Sequence, residues 1–537
     1  MHSPVARIAA LCCGLALALG GCGGSDSVGD ETPRVNDAVA CDRLNGETFA
    51  DNTSVTSATY QTSDVVFGTS VAKAPFCRLT ATARPSADSQ IQFEVWLPPM
   101  VAWNQKFQAV GSDSSAGSIA TAAMTTPLAQ GYAVMAQDNG HVTNTSQPTG
   151  AAEQTWALGH PEKIIDFAYR AQHVTTVHAK DMVGAFYGRP PAYSYLVGCG
   201  QGGHHGLMEA SRYPDDYDGI VAGAPAWQWF NLMAAQTWNA QPFLQDSNAI
   251  AAAKNTLLNG AVVAACDAND GVSDGVIGDP RTCNFDPAVL QCTGADGPDC
   301  LTAAQVSAAK RIYSSARQPD GTVIFPPYTR GSEFDWSPFY STADAAGGSS
   351  FDFYRYTLFQ DPTFSNANFD FGADYDRALA VQIVGQSAPS VFNAQSDLTA
   401  FRQSGGKLMI YHGWADAQVT PLSSIEYHDR VVADEGANTS SFLRMFMLPG
   451  VGHCSGGPGP RNIGGSTGTA PVDDAAHDVV RALDRWVTQG IPPEAMIAFK
   501  VATDGAVTQT RPLCAWPKAA VYKGSGSTDD AASFTCQ

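Results

Sequence analysis

Three stretches of this 537-residue chain hold residue types that can do acyl-transfer chemistry. The first, Gly198-Cys199-Gly200-Gln201-Gly202, follows the apolar run Tyr193–Val197 and leads into a helical segment. Strand, glycine-dense turn and helix are the setting of the elbow G-x-S-x-G, which lifts a serine nucleophile out of a strained turn. The spacing fits, but the central residue is Gly200, which has no hydroxyl. The second stretch ends in Asp416, after the run Lys407–Tyr411. The third holds His453, glycine-flanked after Arg444–Leu448. An acid and a base on loops after successive strands can converge at the carboxyl edge of a sheet, the carboxylate orienting the imidazole that moves the proton. The order of vacated nucleophile (Gly200), acid (Asp416) and base (His453) is that of an esterase-type triad.

Positioning such a set takes a parallel sheet. Lys106–Val110, Tyr132–Ala136, Tyr193–Val197, Lys407–Tyr411 and Arg444–Leu448 are short apolar runs that suit strands buried on both faces. Ile91, Phe93, Val95 and Leu97 alternate with polar residues, as in a half-buried strand. Helices fall between: one opened by Pro161 and reaching about Phe186, and one striped by Val479, Val480, Leu483, Trp486 and Val487 that stops at Gly490. The class is α/β, and with the ordered triad positions it reads as an α/β-hydrolase fold. The middle lacks strand rhythm. It has aromatics, four cysteines and a helix capped by Thr302 and Gln305. It reads as an inserted lid, residues 227–397, between core segments 41–226 and 398–537.

Lys and Arg total 31 against 51 Asp and Glu, giving a formal charge of −20. That balance offers no basic footprint for phosphates and excludes nucleic acid as a partner. Residues 1–21 read as a signal peptide, with Arg7 before the apolar stretch Ile8–Leu19. Leu19-Gly20-Gly21-Cys22 resembles a bacterial lipoprotein box. A lipid on Cys22 would be the only membrane link, through a tether over 22–40, leaving the mature chain periplasmic, on the outer membrane or secreted. Beyond Cys12, Cys13 and Cys22 stand ten cysteines, which in an oxidising compartment read as five disulfides. Neighbour pairing gives 266–283, 292–300 and 514–536, while spacing leaves the connectivity open. A zinc site on Cys266, Cys283, Cys292 and Cys300 is the rival reading; it lacks a C-x-x-C pair.

Five segments together resemble the tannase/feruloyl esterase family, which also holds the mono(2-hydroxyethyl) terephthalate hydrolases: Trp156–Asp166, Arg212–Pro225, Tyr411–Asp416, Pro449–Gly457 and Tyr522–Gly526. The likeness runs from about Val39 to the end. It implies an esterase of aromatic acid esters, of feruloyl, galloyl or terephthaloyl type, with a Ser-Asp-His mechanism impaired here at Gly200. The alternative is a silent or weakly active homologue that binds aromatic esters or acids. The resemblance also implies a disulfide Cys199–Cys454 clamping the elbow to the histidine loop, and the further pairs Cys41–Cys77, Cys266–Cys283, Cys292–Cys300 and Cys514–Cys536. A free thiol nucleophile at Cys199 is the competing reading.

A second departure from the family lies at Val110–Gly117, where its oxyanion turn is glycine-rich. One oxyanion donor would be the Gln201 backbone N–H, the other about Ser112 or Asp113, where a carboxylate opposes the developing charge. Asp267, Asp270 and Asp274 form an oxygen-rich loop suited to calcium and outside EF-hand spacing. The resemblance adds the Val272 and Val276 carbonyls as ligands of a structural calcium in the lid. For the substrate, Arg355 and Phe359 match a lid position that could hold an aromatic acid, and His412 and Trp414 could line the pocket wall.

Overall fold

Strands apolar on both faces need cover on both sides, and a ten-stranded sheet flanked by helices supplies it. The computed structural model describes residues 36–112, 117–142, 154–245, 250, 252–336 and 349–537. The expected leader, Cys22 and most of its tether, and Asp113 lie outside these residues. Residues from Asp37 on form one compact unit. A helix at Asp37–Arg43 already starts inside the expected tether, and its Cys41 is bonded to Cys77.

The strands are β1 Thr48–Phe49, β2 Thr53–Gln61, β3 Phe76–Ala83, β4 Ile91–Leu97, β5 Lys106–Val110, β6 Ala133–Gln137, β7 Tyr193–Cys199, β8 Gly219–Gly223, β9 Lys407–Gly413 and β10 Leu443–Leu448. They lie in the order β1-β2-β3-β4-β6-β5-β7-β8-β9-β10. Pairs up to β4–β6 are antiparallel. From β6 to β10 every pair is parallel. The helices that matter here are α1 Ala171–Tyr187, α2 Gln201–Arg212, α3 Trp229–Gln245, α4 Ala303–Ile312, α5 Pro421–Glu435 and α6 Val479–Gln489.

Side-chain alternation distributes each strand between two cores. Ile220 and Ala222 of β8 join the core that holds Val174, Met182 and Phe186 of α1, while Val221 faces the core of α6. In β9, Leu408 and Ile410 face the first core, and Met409 and Tyr411 the second. The helix foreseen from Pro161 is broken by a π-helical turn at Asp166–Arg170 before α1 continues it. Asp478 caps α6, its carboxylate accepting from Val480 and Arg481 N–H, and Gly490 ends it in the left-handed region (φ 70°). This is an α/β-hydrolase sheet.

β8 and β9 are neighbours, Gly219 opposite Lys407, yet 183 residues (224–406) separate them in the chain. That excursion carries a core of its own around Leu258, Val262, Phe285, Ile312 and Trp336. Two disulfides, Cys266–Cys283 and Cys292–Cys300, crosslink it. Its helix α4 opens on the Thr302–Gln305 capping box. The antiparallel strands β2 and β3, and a C-terminal hairpin of Ala495–Val501 with Val507–Cys514, were not foreseen. Among the described residues no helix is long and apolar enough to cross a membrane.

Candidate active site

Register brings the carboxyl ends of β7, β8 and β9 level, with Cys199 opposite Gly223 and Gly223 opposite Tyr411. Gly200 follows β7 at φ 60°, ψ −115°, and its N–H donates to Gly223 O (3.0 Å). An L side chain is strained there and glycine is not. The flanking glycines serve close approach: a Cβ on Gly198 would stand 2.6 Å from the Gly202 carbonyl carbon, and one on Gly202 2.9 Å from Gly111 Cα. Strand β7, helix α2 and the turn after β5 therefore meet backbone to backbone. The first N–H groups of α2, which lack intrahelical acceptors, are presented at this junction.

Asp416 lies three residues past β9, wholly buried. Its Oδ1 accepts from Gln418 N–H (2.7 Å) and Val419 N–H (2.9 Å). Its Oδ2 accepts from His453 Nδ1 (2.8 Å) and His412 Nε2 (3.0 Å). Burial by itself would raise this carboxyl; the His453 imidazole and the two histidine donors outweigh it and hold the group well below the usual carboxylate range. Nδ1 of His453 is thereby committed to the acid, which leaves Nε2 as its basic nitrogen.

The disulfide Cys199–Cys454 joins the elbow to the histidine loop, with Cα atoms 5.8 Å apart. Gly200 and His453 each adjoin one half of it. The fifth disulfide is Cys514–Cys536. A cavity of about 780 Å³ is lined by Ser112, Cys199, Gln418, His453 and Cys454. Gly200, Asp416 and His453 thus share one corner of the molecule.

The remaining expected residues divide. His412, expected in the pocket wall, is wholly buried behind Asp416. Its Nδ1 accepts from Ser424 Oγ (2.8 Å) and its Nε2 also donates to Val419 O (2.9 Å), so it supports the acid and does not line the cavity at His453. Trp414 lines a second cavity of about 320 Å³ with Arg330, Phe334 and Ile277. Among the described residues, neither Arg355 nor Phe359 lines either cavity. Phe359 packs under the Arg377 guanidinium (3.9 Å) and against Phe364 (4.8 Å), and Arg355 Nε donates to Phe364 O (3.0 Å). Their side chains belong to the aromatic packing of the excursion.

Sequence reading missed Asn139 and Asp335. Asn139, fully buried at φ 60°, accepts at Oδ1 from Ser112 Oγ (2.9 Å) and Gln137 Nε2 (2.8 Å), and its Nδ2 reaches Gln201 Oε1 (3.5 Å). It ties the turn after β5 to the start of α2. Its signal was the Asn139-Gly140 pair closing an apolar run. Beside it, Asp138 Oδ1 accepts from Gln92 and Gly140 N–H, and burial pushes its carboxyl up to about 7. Asp335 comes from the excursion. Burial and Asp416 push its carboxyl up while His453 draws it down. Its neighbour Phe334 packs near Gly452.

The calcium-type loop is a turn whose aspartates accept from its own N–H groups. Asp267 takes Asp274 and Gly275, Asp270 takes Val272, and Asp274 takes Val276 and pairs with Arg511.

The sequence profile described as tannase and feruloyl esterase matches residues 77–537. The chain belongs to that family. A relative is an uncharacterised esterase of Xanthomonas campestris pv. campestris, 37% identical over 491 residues and covering 86% of this chain and 84% of its own. Feruloyl esterase B of Aspergillus niger is 31% identical over 474 residues, covering 87% of both chains. Among solved structures, feruloyl esterase B from Aspergillus oryzae superposes with a TM-score of 0.84 at 28% identity, covering 94% of this chain and 100% of the other. Tannin acyl hydrolase from Aspergillus niger, at 21% identity and a TM-score of 0.72, shares the fold.

Proposed function

We propose that this tannase-family chain hydrolyses esters of aromatic carboxylic acids slowly and without a serine nucleophile. One observation carries the reading: a buried Asp416–His453 pair stands beside a nucleophile elbow whose central residue is Gly200. Space left by the missing side chain admits a water. His453 Nε2 takes a proton from that water as its oxygen attacks the ester carbonyl carbon, and Asp416 stabilises the imidazolium that forms. The Gln201 backbone N–H, with a second donor near Ser112 or Asp113, receives the oxyanion. Collapse expels the alkoxide, which takes the proton back from His453. No acyl-enzyme forms, and the rate retained is the roughly 10³–10⁴-fold over water that binding and oxyanion stabilisation supply without a complete triad.

The test is a panel of methyl ferulate, methyl gallate and a terephthalate monoester, run on the protein, on His453→Ala and on Gly200→Ser. Turnover lost in His453→Ala and raised by orders of magnitude in Gly200→Ser supports the reading. Equal rates with and without His453 would make the protein a binder of aromatic esters or acids.

Calcium would be held by Asp267, Asp270 and Asp274 with the Val272 and Val276 carbonyls. Although Asp274 is already paired with Arg511, three carboxylates and two carbonyls on one short turn are the hard oxygen chemistry that calcium takes. Its role there is to stiffen the loop closed by Cys266–Cys283. The 227–397 segment would act as a lid beside the histidine loop, where its Phe334 packs near Gly452. Five disulfides suit an oxidising compartment outside the cytoplasm, with lipidation of Cys22 as the expected anchor.

A further inference from the structure

At the far end of α2 from the elbow, three side chains from separate segments converge. Glu209 lies in the last turn of the helix, about 13 Å along its axis from Gly200 at 1.5 Å per residue. Asp216 lies on the loop to β8, and His173 on the first turn of α1. His173 Nδ1 meets Asp216 Oδ2 at 2.6 Å, its ring held flat against Tyr213 at 3.7 Å. One donor atom from each of the three lies within 4.8 Å of the others. Glu209 is 1% exposed, and neither carboxylate oxygen meets a hydrogen-bond donor.

A buried carboxylate facing a second carboxylate leaves lone pairs that only a proton or a cation can satisfy. Lys180, whose ammonium donates to the Asp216 backbone carbonyl, draws the Glu209 carboxyl down by its charge but gives it no hydrogen bond. Asp218 is spent on Ser194 N–H (2.7 Å). His173 is 30% exposed and Asp216 12%, so an ion has a way in from solvent.

We propose that His173, Glu209 and Asp216 bind one divalent first-row transition cation such as Zn²⁺. One imidazole nitrogen and two carboxylates are ligands such ions take, with water completing the shell. Ligand groups must be deprotonated to hold the ion, so uptake releases protons. The ion would lock the end of α2 to α1 and to the strand that follows, steadying from behind the helix whose start frames the elbow.

The experiment strips the full-length protein with chelator, adds excess Ca²⁺ to saturate oxygen-only sites, and titrates Zn²⁺ by calorimetry in two buffers of different ionisation enthalpy. Expected are uptake of a single equivalent, proton release, and a rise in thermal midpoint with Zn²⁺. Even loss of a second-shell partner costs about 10–100-fold in metal affinity, so Glu209→Gln and His173→Gln should each weaken binding by about tenfold or more. His173 is partly exposed, so its variant keeps the test open where the buried Glu209 change disturbs folding. Absence of Zn²⁺ uptake, or affinity in both variants equal to wild type, overturns the proposal and leaves a shared proton between Glu209 and Asp216.

Discussion

His412 and His453 donate to the same oxygen, Asp416 Oδ2, at 3.0 and 2.8 Å. The acid is therefore held from behind as well as used from in front. His412→Phe removes one of those donors inside a fully buried site, a loss of about 1–3 kcal/mol where a charged acceptor is involved. In a Gly200→Ser background, kcat should fall by about tenfold, which corresponds to 1.4 kcal/mol, with KM little changed. A larger change in KM than in kcat would show that His412 lines the pocket after all.

Gly200→Ser should bring back fluorophosphonate labelling together with turnover. At φ 60° the new side chain is strained by about 1–3 kcal/mol, so the variant should melt a few degrees lower than the parent. Gain of function with loss of stability is the expected signature, read by activity and a thermal melt on the same preparation. Labelling of the parent protein would locate a nucleophile other than position 200.

Cys199→Ser with Cys454→Ser opens a bridge spanning 255 residues. Chain-entropy arguments put the stability lost at about 5 kcal/mol for so long a loop. The histidine loop loses its tie to the elbow at the same time. In the Gly200→Ser background, esterase activity should fall further than residual folded protein explains, as circular dichroism measured beside kcat would show.

Asp138 is buried at the turn that holds Asn139, and its folded carboxyl is raised to about 7. A carboxyl raised on folding keeps its proton longer than in the unfolded chain, where it titrates near about 3.9. Stability is therefore lost progressively as pH rises from about 4 to about 7. Asp138→Asn keeps an oxygen for the Gln92 and Gly140 N–H groups and removes that loss. The thermal midpoint of the variant relative to wild type should climb across this window and level off above it. A difference constant with pH would mean that Asp138 is charged throughout.

Calcium removal gives a further check. With EGTA the protein should melt lower, and Asp270→Asn should lower the midpoint in calcium and blunt its response to EGTA.

How much of this was legible follows from periodicity. Runs such as Lys407–Tyr411 bury both faces, so their composition alone marks a parallel strand, and the three site loops hang from the ends of such runs. β8 was harder. Gly219 and Gly223 flank only three apolar residues, and glycine is chosen there because Leu483 and the Tyr411 ring crowd those Cα atoms. β2 is half exposed and rich in Ser and Thr, so its strand state comes from pairing with β3 and not from its own pattern. Asp416 and His453 could be read because each sits in a glycine-marked turn, whereas the role of His412 could not. On a strand, the spacing between His412 and Asp416 does not say whether a side chain faces solvent or the acid; tertiary packing decides that. Arg355 and Phe359 were placed by resemblance in a segment whose aromatics pack on one another, and no local signal separates a ring that packs from one that receives a ligand.

The departure of the chain after β8 and its return at β9 bear on how relatives diverge. Both ends of residues 224–406 are anchored to adjacent strands of an otherwise complete platform, so the segment is a cassette whose contents can be rewritten, lengthened or exchanged without altering a single strand pairing beneath it. Change in that stretch can therefore accumulate while the strand ends that carry Gly200, Asp416 and His453 stay as they are.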